Sequence, residues 1–368
     1  MEKIKILYIV STLKKSGPIN ILYGIVKYLN KKIFDINILT LSPENVDSRE
    51  NDFIKLGVNL YKINKSRLNL FINGYNVILN EINKINPDII HSHGFRPDSY
   101  VSKYKKCITI NTIHNYPHKD YVMRYGCLLG KYMYKKQLRY IKNINCPIAC
   151  SQSISIELKN KFKIETLYIQ NGVSIKSSCK NKKNELRNKL NIPINKKVLI
   201  SVGALIERKN PKFLIECFLN SNIKKDAILL LLGDGNLKNS LEKISNENII
   251  FAGNVDNVNE YLTLSDIFIS ASKAEGLPNA VMEAMSNELP VILSNINPHS
   301  EIIKNSNCGL LFNLEKEELI NCLNKIDKLD IKGMGKNSRL IIEENFTDKK
   351  MSKSYEELYI NLFMNDKR

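Results

Sequence analysis

Short, nearly continuous apolar runs alternate along this chain with longer stretches whose apolar positions recur every three or four residues. The first run spans residues 4–10 and is followed by a polar loop and a helical pattern over 19–29. The same reading predicts strands at 36–41, 58–63, 89–92, 108–113, 147–150 and 167–169, with helices at 51–56, 70–85, 98–104, 121–141 and 153–161. Beyond a polar, lysine-rich stretch at 174–184 the alternation resumes. Strands are expected there at 198–202, 228–232, 249–255, 267–270 and 290–293, with a helix at 279–286. A last amphipathic pattern covers 348–364. Strands alternating with helices imply parallel sheets covered on both faces. The chain therefore reads as α/β, with two Rossmann-like, doubly wound domains at 1–172 and 185–347 and a C-terminal helix within 348–368.

Composition narrows the class. A length of 368 residues with 43% hydrophobic and 25% charged content is ordinary for a globular protein of two domains. The longest apolar run, 227–232, is far too short to span a bilayer, and the N-terminus enters a strand without a signal-peptide pattern. Eight scattered cysteines with no C-x-x-C pair read as reduced core residues, so a cytoplasmic location is expected. The net charge of +18 is uneven: residues 1–166 hold 27 Lys and Arg against 12 Asp and Glu, the remainder 28 against 25. Such a field favours phosphorylated substrates or anionic lipid, and no nucleic-acid motif accompanies it. Residues 121–142 mix six basic side chains with five tyrosines. That pattern suits either a helix lying on a membrane surface or a surface helix with one core face.

The densest chemistry lies in 265–294. A short apolar strand runs into a polar turn carrying Glu275, Gly276 and Pro278, and a helical pattern opens at Asn279 with Glu283 inside it. Open α/β sheets bind ligands at such strand-to-helix turns. A helix start offers free N–H groups to an anion, and a glycine lets the backbone approach closely. Carboxylates accept hydrogen bonds from hydroxyls, so Glu275 and Glu283 suit a sugar and a ribose. After strand 198–202 the segment GALIERKNP places Arg208 and Lys209 before another helix, a pair suited to a diphosphate. In the first half, Gly17 sits in the loop after the first strand, His91 and His93 end the 89–92 strand, and His114 follows the next one. No cysteine or carboxylate neighbours the H-x-H pair to complete a metal site, so metal is discounted there.

The pattern E-G-L-P-x-x-x-x-E-A-M, with S-N-E-L-P-V-I after it, resembles retaining glycosyltransferases of family 4, which have the GT-B fold. The resemblance covers nearly the whole chain and is strongest from 199 to 303. It implies two Rossmann-like domains facing a cleft, the first binding the acceptor and the second a nucleotide-sugar donor. Lys209 matches the family lysine on the donor diphosphate, and Arg208 stands in for the usual arginine, which is Ala204 here. Glu283 would hold the ribose and Glu275 the donor sugar, with Gly276, Leu277, Pro278 and Asn279 completing the cradle. His114 would orient the donor sugar or the acceptor. Gly17 matches a family glycine loop in which Ser16 replaces the usual first glycine. With no D-x-D anywhere, no metal or other cofactor is expected. A UDP-sugar donor, a lipid-linked saccharide acceptor and peripheral attachment at the inner face of an anionic membrane complete the expectation, in bacterial surface polysaccharide synthesis. The same fold serves nucleotide-sugar 2-epimerases and non-catalytic partner subunits, and these are the rival readings. Donor mixed with the protein alone separates the first rival, and absence of any nucleotide binding marks the second.

Overall fold

A computed structural model describes residues 2–65, 67–176, 182–303 and 307–366, with the side chains of 67–73 not described. The chain forms two compact units: residues 1–172 together with 348–368, and residues 173–347. The sheet of the first unit contains β1 (Ile4–Val10), β2 (Phe34–Thr40), β3 (Asn59–Lys62), β4 (Ile89–His93), β5 (Ile108–Ile113), β6 (Cys146–Ala149) and β7 (Leu167–Tyr168). Its strand order is β3-β2-β1-β4-β5-β6-β7, and every pairing is parallel. The second unit contains β8 (Lys197–Val202), β9 (Ala227–Leu232), β10 (Ile249–Gly253), β11 (Ile267–Ser270), β12 (Val291–Ser294) and β13 (Gly309–Phe312). Its order is β10-β9-β8-β11-β12-β13, again all parallel. Both are doubly wound sheets. The strand order reverses between β1 and β4 in one unit and between β8 and β11 in the other, and that reversal opens a crevice at the carboxyl ends of the strands.

Central strands such as β5, β9, β11 and β12 are buried along their whole length, because helices cover both faces. That is why they read as continuous apolar runs rather than alternating ones. β13 escaped the sequence reading. It is a four-residue edge strand, GLLF, with three of its positions only partly buried or exposed. Gly309 is fitted to it, since a Cβ there would lie 2.2 Å from the carbonyl oxygen of Val291 on β12.

One expected element is corrected. The helix expected at 121–141 is two helices, Pro117–Tyr125 and Cys127–Lys142, broken at Gly126 with φ 77°. Only glycine adopts that conformation freely, and the apolar period reads straight through it. The two helices pack so closely that a Cβ on Gly130 would lie 2.5 Å from the carbonyl oxygen of Tyr121. Of the stretch expected as a linker, residues 177–181, which include Cys179, lie outside the described residues. The helix Lys183–Lys189 already belongs to the second unit, where Arg187 and Lys183 both pair with Asp266, at 2.6 and 2.5 Å.

The last helix, Asp348–Asp366, completes the core of the first unit. Met351, Tyr355 and Tyr359 join the apolar cluster built by β1, β2 and the helix Gly17–Tyr28. Its contacts are polar as well: the Tyr359 hydroxyl meets Tyr8 Oη at 3.0 Å and His91 Nδ1 at 2.7 Å, and Ser352 Oγ donates to the carbonyl of Ile25 at 2.7 Å.

Candidate functional site

In the second unit the loops leaving β8 and β11, the two strands at the order reversal, carry the densest set of charged groups. The β8 loop begins at Gly203 and passes through a single 3-10 turn, Glu207–Lys209. Asn210 then turns left-handed at φ 55°, a conformation asparagine tolerates better than most residues, and Pro211 starts the next helix with its φ preset. Gly203 is at φ 153°, and a Cβ there would lie 3.0 Å from Cε of Lys209. The glycine thus makes room for the lysine stem. Gly233, after β9, is equally constrained, because its Cβ would fall 2.1 Å from the Gly203 carbonyl oxygen.

Lys209 Nζ reaches Glu275 Oε1 at 2.6 Å, and Arg208 Nη1 reaches Oε2 at 2.7 Å. Arg208 Nη1 also donates to the carbonyl of Ala274 at 2.8 Å. Ser272 Oγ donates to Glu275 Oε1 at 2.6 Å. Glu275 is buried, and burial alone would push its carboxyl up. Lys209, Arg208 and the Ser272 hydroxyl overrule burial and hold it well below the usual carboxylate range. An ionised carboxylate and two cations therefore stand together, and one positive charge of the three groups remains unbalanced.

Serines support this centre from behind. Ser294 Oγ donates to the Ser272 carbonyl at 2.6 Å, and His299 Nδ1 donates to the Ser294 carbonyl at 2.8 Å. A carbonyl can only accept, so His299 carries its proton on Nδ1, and burial drives its pKa down to about 4. Sequence reasoning missed Ser272, Ser294 and His299. For the two serines the signal was a polar residue at or just past the end of an otherwise apolar strand; His299 lies inside the helix Asn297–Ile303.

Gly276, Leu277 and Pro278 are buried in the turn, and Asn279 opens the helix Asn279–Ser286. Glu283, within that helix, is half-buried; burial raises its pKa, with Lys176 pulling the other way. Arg208, Lys209 and Glu275 are thus brought into direct contact, with Glu283 a helical turn or so further on.

Gly17 and His114 belong to the first unit. Gly17 opens the helix after β1, and His114 directly follows β5. His114 Nε2 lies 2.9 Å from His93 Nδ1, and the His93 ring stacks on His91 with centroids 4.4 Å apart. His91 is fully enclosed, bonding Tyr359 at 2.7 Å and Thr112 at 2.8 Å. Burial keeps all three rings neutral: His91 falls to about 3, His114 to about 4, and His93 well below the usual range. The basic hairpin of helices after β5 exposes Leu128 at 89% and Tyr132 at 55%, beside exposed Arg124, Lys131 and Lys135. Leu138 and Ile141 on the same helix are buried, so it has both a core face and an apolar outer face. Among the described residues no three His, Cys, Asp or Glu side chains are grouped to hold a metal ion, and no helix is long and apolar enough to cross a membrane.

The chain is similar to known proteins. The family model described as glycosyl transferases group 1 matches residues 182–341, and the glycosyltransferase family 4 model matches 17–177. The O-antigen biosynthesis glycosyltransferase WclY of Escherichia coli is 27% identical over 98% of this chain and 99% of its own length. An E. coli UDP-Gal:alpha-D-GlcNAc-diphosphoundecaprenol alpha-1,3-galactosyltransferase is 31% identical over 54% of each chain. Among solved structures, Anabaena HepE in complex with UDP-glucose superposes with a TM-score of 0.81 at 16% identity, covering 97% of this chain and 99% of that one. Sucrose-phosphate synthase from Thermosynechococcus elongatus gives 0.83, also at 16%, over 99% and 100%. These likenesses show the GT-B fold. With one family model on each unit and the Arg208–Lys209–Glu275 centre at the strand reversal, the chain belongs to glycosyltransferase family 4 and is a glycosyltransferase.

Proposed function

We propose that the chain moves a sugar from a UDP-sugar to a saccharide acceptor carried on a lipid diphosphate, with retention at the anomeric carbon, in assembly of a bacterial capsule or O-antigen. The observation that carries this reading is the direct contact of Lys209 and Arg208 with Glu275 at the β8/β11 reversal. A diphosphate meets two fixed cations there, and a carboxylate lies within a side chain's reach for a sugar hydroxyl. The half-buried Glu283 suits the ribose diol. The nucleotide and acceptor classes are supported by the substrates that the galactosyltransferase relative is named for and by UDP-glucose in the HepE complex.

In the reaction the bond from the anomeric carbon to the leaving phosphate oxygen breaks, and the acceptor oxygen bonds to that carbon on the same face. The acceptor's proton passes to the departing phosphate. Lys209 and Arg208 stabilise the negative charge that gathers on the diphosphate, from positions fixed before the reaction starts. Glu275 orients the sugar and is no nucleophile in this scheme. His114 acts from the first unit on the sugar or the acceptor. No metal is required, since the two cations supply the charge.

Thermal shift with a nucleotide panel tests the donor site. A ligand that binds only the folded state raises Tm by mass action. UDP or a UDP-sugar should raise it equally with and without EDTA, and both Lys209→Ala and Glu283→Ala should abolish the shift. A panel in which no nucleotide moves the wild-type Tm would sink the reading, and a shift that needs a divalent ion would sink its metal-free form. For the acceptor side, the Leu128, Tyr132 and lysine face should sediment the protein with anionic liposomes at low salt. Leu128→Ser with Lys131→Glu should release it, and indifference of the wild type to such liposomes would remove the membrane from the proposal.

A further inference from the structure

His93 ends β4 at the strand reversal of the first unit and is buried, and its only side-chain hydrogen bond among the described residues is the 2.9 Å contact from Nδ1 to His114 Nε2. One proton lies in that contact, and the surroundings decide which ring owns it. His93 Nε2 is buried with no partner among the described residues. If His114 gave the proton, His93 would have to carry its own on Nε2, where nothing accepts it. Buried N–H groups without acceptors are rarer and costlier than buried lone pairs without donors. His93 therefore keeps its proton on Nδ1 and donates. His114 accepts on Nε2 and, being neutral, holds its proton on Nδ1. That nitrogen has no protein partner among the described residues, and the ring is only half-buried. His91, bonded at both ring nitrogens, stacks on His93 and restrains the plane of the His93 ring.

We infer that His93 is a positioning residue that fixes His114 as the Nδ1–H tautomer, so that His114 offers substrate a hydrogen-bond donor and not a base. Its ligand is an oxygen with a free lone pair, such as a sugar hydroxyl or ring oxygen or a phosphate oxygen. This rests on the transfer reading for its consequence in activity but not for the tautomer itself.

Ring nitrogen-15 spectra of protein labelled at histidine test the tautomer without any activity. The chain has five histidines, so His114→Gln and His93→Gln assign the signals. The expected result is a protonated-type Nδ1 and a bare-type Nε2 for His114, with the reverse overturning the inference. Activity then separates positioning from packing. His93→Phe keeps the ring volume and loses the donor; His93→Asn loses volume but returns an N–H in place of Nδ1. Asn should retain kcat near the wild type, whereas Phe should lose about tenfold, the scale of one hydrogen bond. The opposite ranking, Phe above Asn, would mean that His93 only fills space. Wild-type protein inert towards every donor would fell the transfer reading, and the ring spectra would still decide the tautomer.

Discussion

Lys209→Ala should lower kcat for sugar transfer by roughly 10²–10³, the usual loss on removing one preorganised group that faces developing charge. The fold should survive, because Glu275 would keep Arg208 and Ser272 as partners. Glu275→Gln should behave differently. Glu275 offsets one of the two positive charges beside it, and the amide would leave Arg208 and Lys209 adjacent without a counter-charge. A diphosphate would then supply the missing charge. UDP affinity should hold or rise while kcat falls at least as far as in the lysine variant. Steady-state kinetics and calorimetric titration of UDP check both outcomes together. Near-normal turnover in either variant would remove the centre from the reaction.

The first unit should unfold in mild acid before the second. His91, His93 and His114 sit in it neutral, each depressed below its usual 6.5 by burial. A base whose folded pKa is depressed takes up its proton in the unfolded chain first, so stability is full above the unfolded pKa and falls as pH drops through it. At pH 5 His91 and His114 each cost about 2 kcal/mol, and His93 adds to the loss in the same direction. Asp98 opposes them. Burial raises it to about 6 against the hydrogen bonds of Ser92, Asn111 and Gln137, so its protonation favours the fold by about 1.4 kcal/mol at pH 5. Even without His93 the net loss is about 3 kcal/mol, a large share of a domain's stability. The second unit has only His299 in this position, near 4. Urea unfolding followed at pH 7 and pH 5 should show the first unit's midpoint falling steeply with the second's nearly fixed. Equal, small shifts of both would mean that the three rings gain protons without unfolding.

Most of the sheet was legible because its strands are buried on both faces. β5, β11 and the helix Asn279–Ser286 occupy the residues that apolar periodicity assigns them. β13 was hidden by partial exposure, and the break at Gly126 by an apolar period that continues across it. At the site, Arg208, Lys209 and Glu275 were readable from motif and charge. The serines that brace Glu275 and the glycines that make room for Lys209 were not: Ser294 and Gly233 act across strands adjacent in the sheet and distant in sequence, and Ser272 and Gly203 depend on how their own loops turn. His93 looked like half of a discounted metal pair. Only the packing of His91 and His114 around it gave it a different part.

The hydroxyls of Tyr8 and Tyr359 meet across 351 positions of sequence. Between them the chain makes the whole second unit before returning to close the core of the first with the helix Asp348–Asp366. A ribosome therefore delivers the second unit entire while His91 still lacks Tyr359 and the cluster of β1 and the helix Gly17–Tyr28 still lacks Met351, Tyr355 and Tyr359. The first part of the protein to be synthesised is the last to be finished.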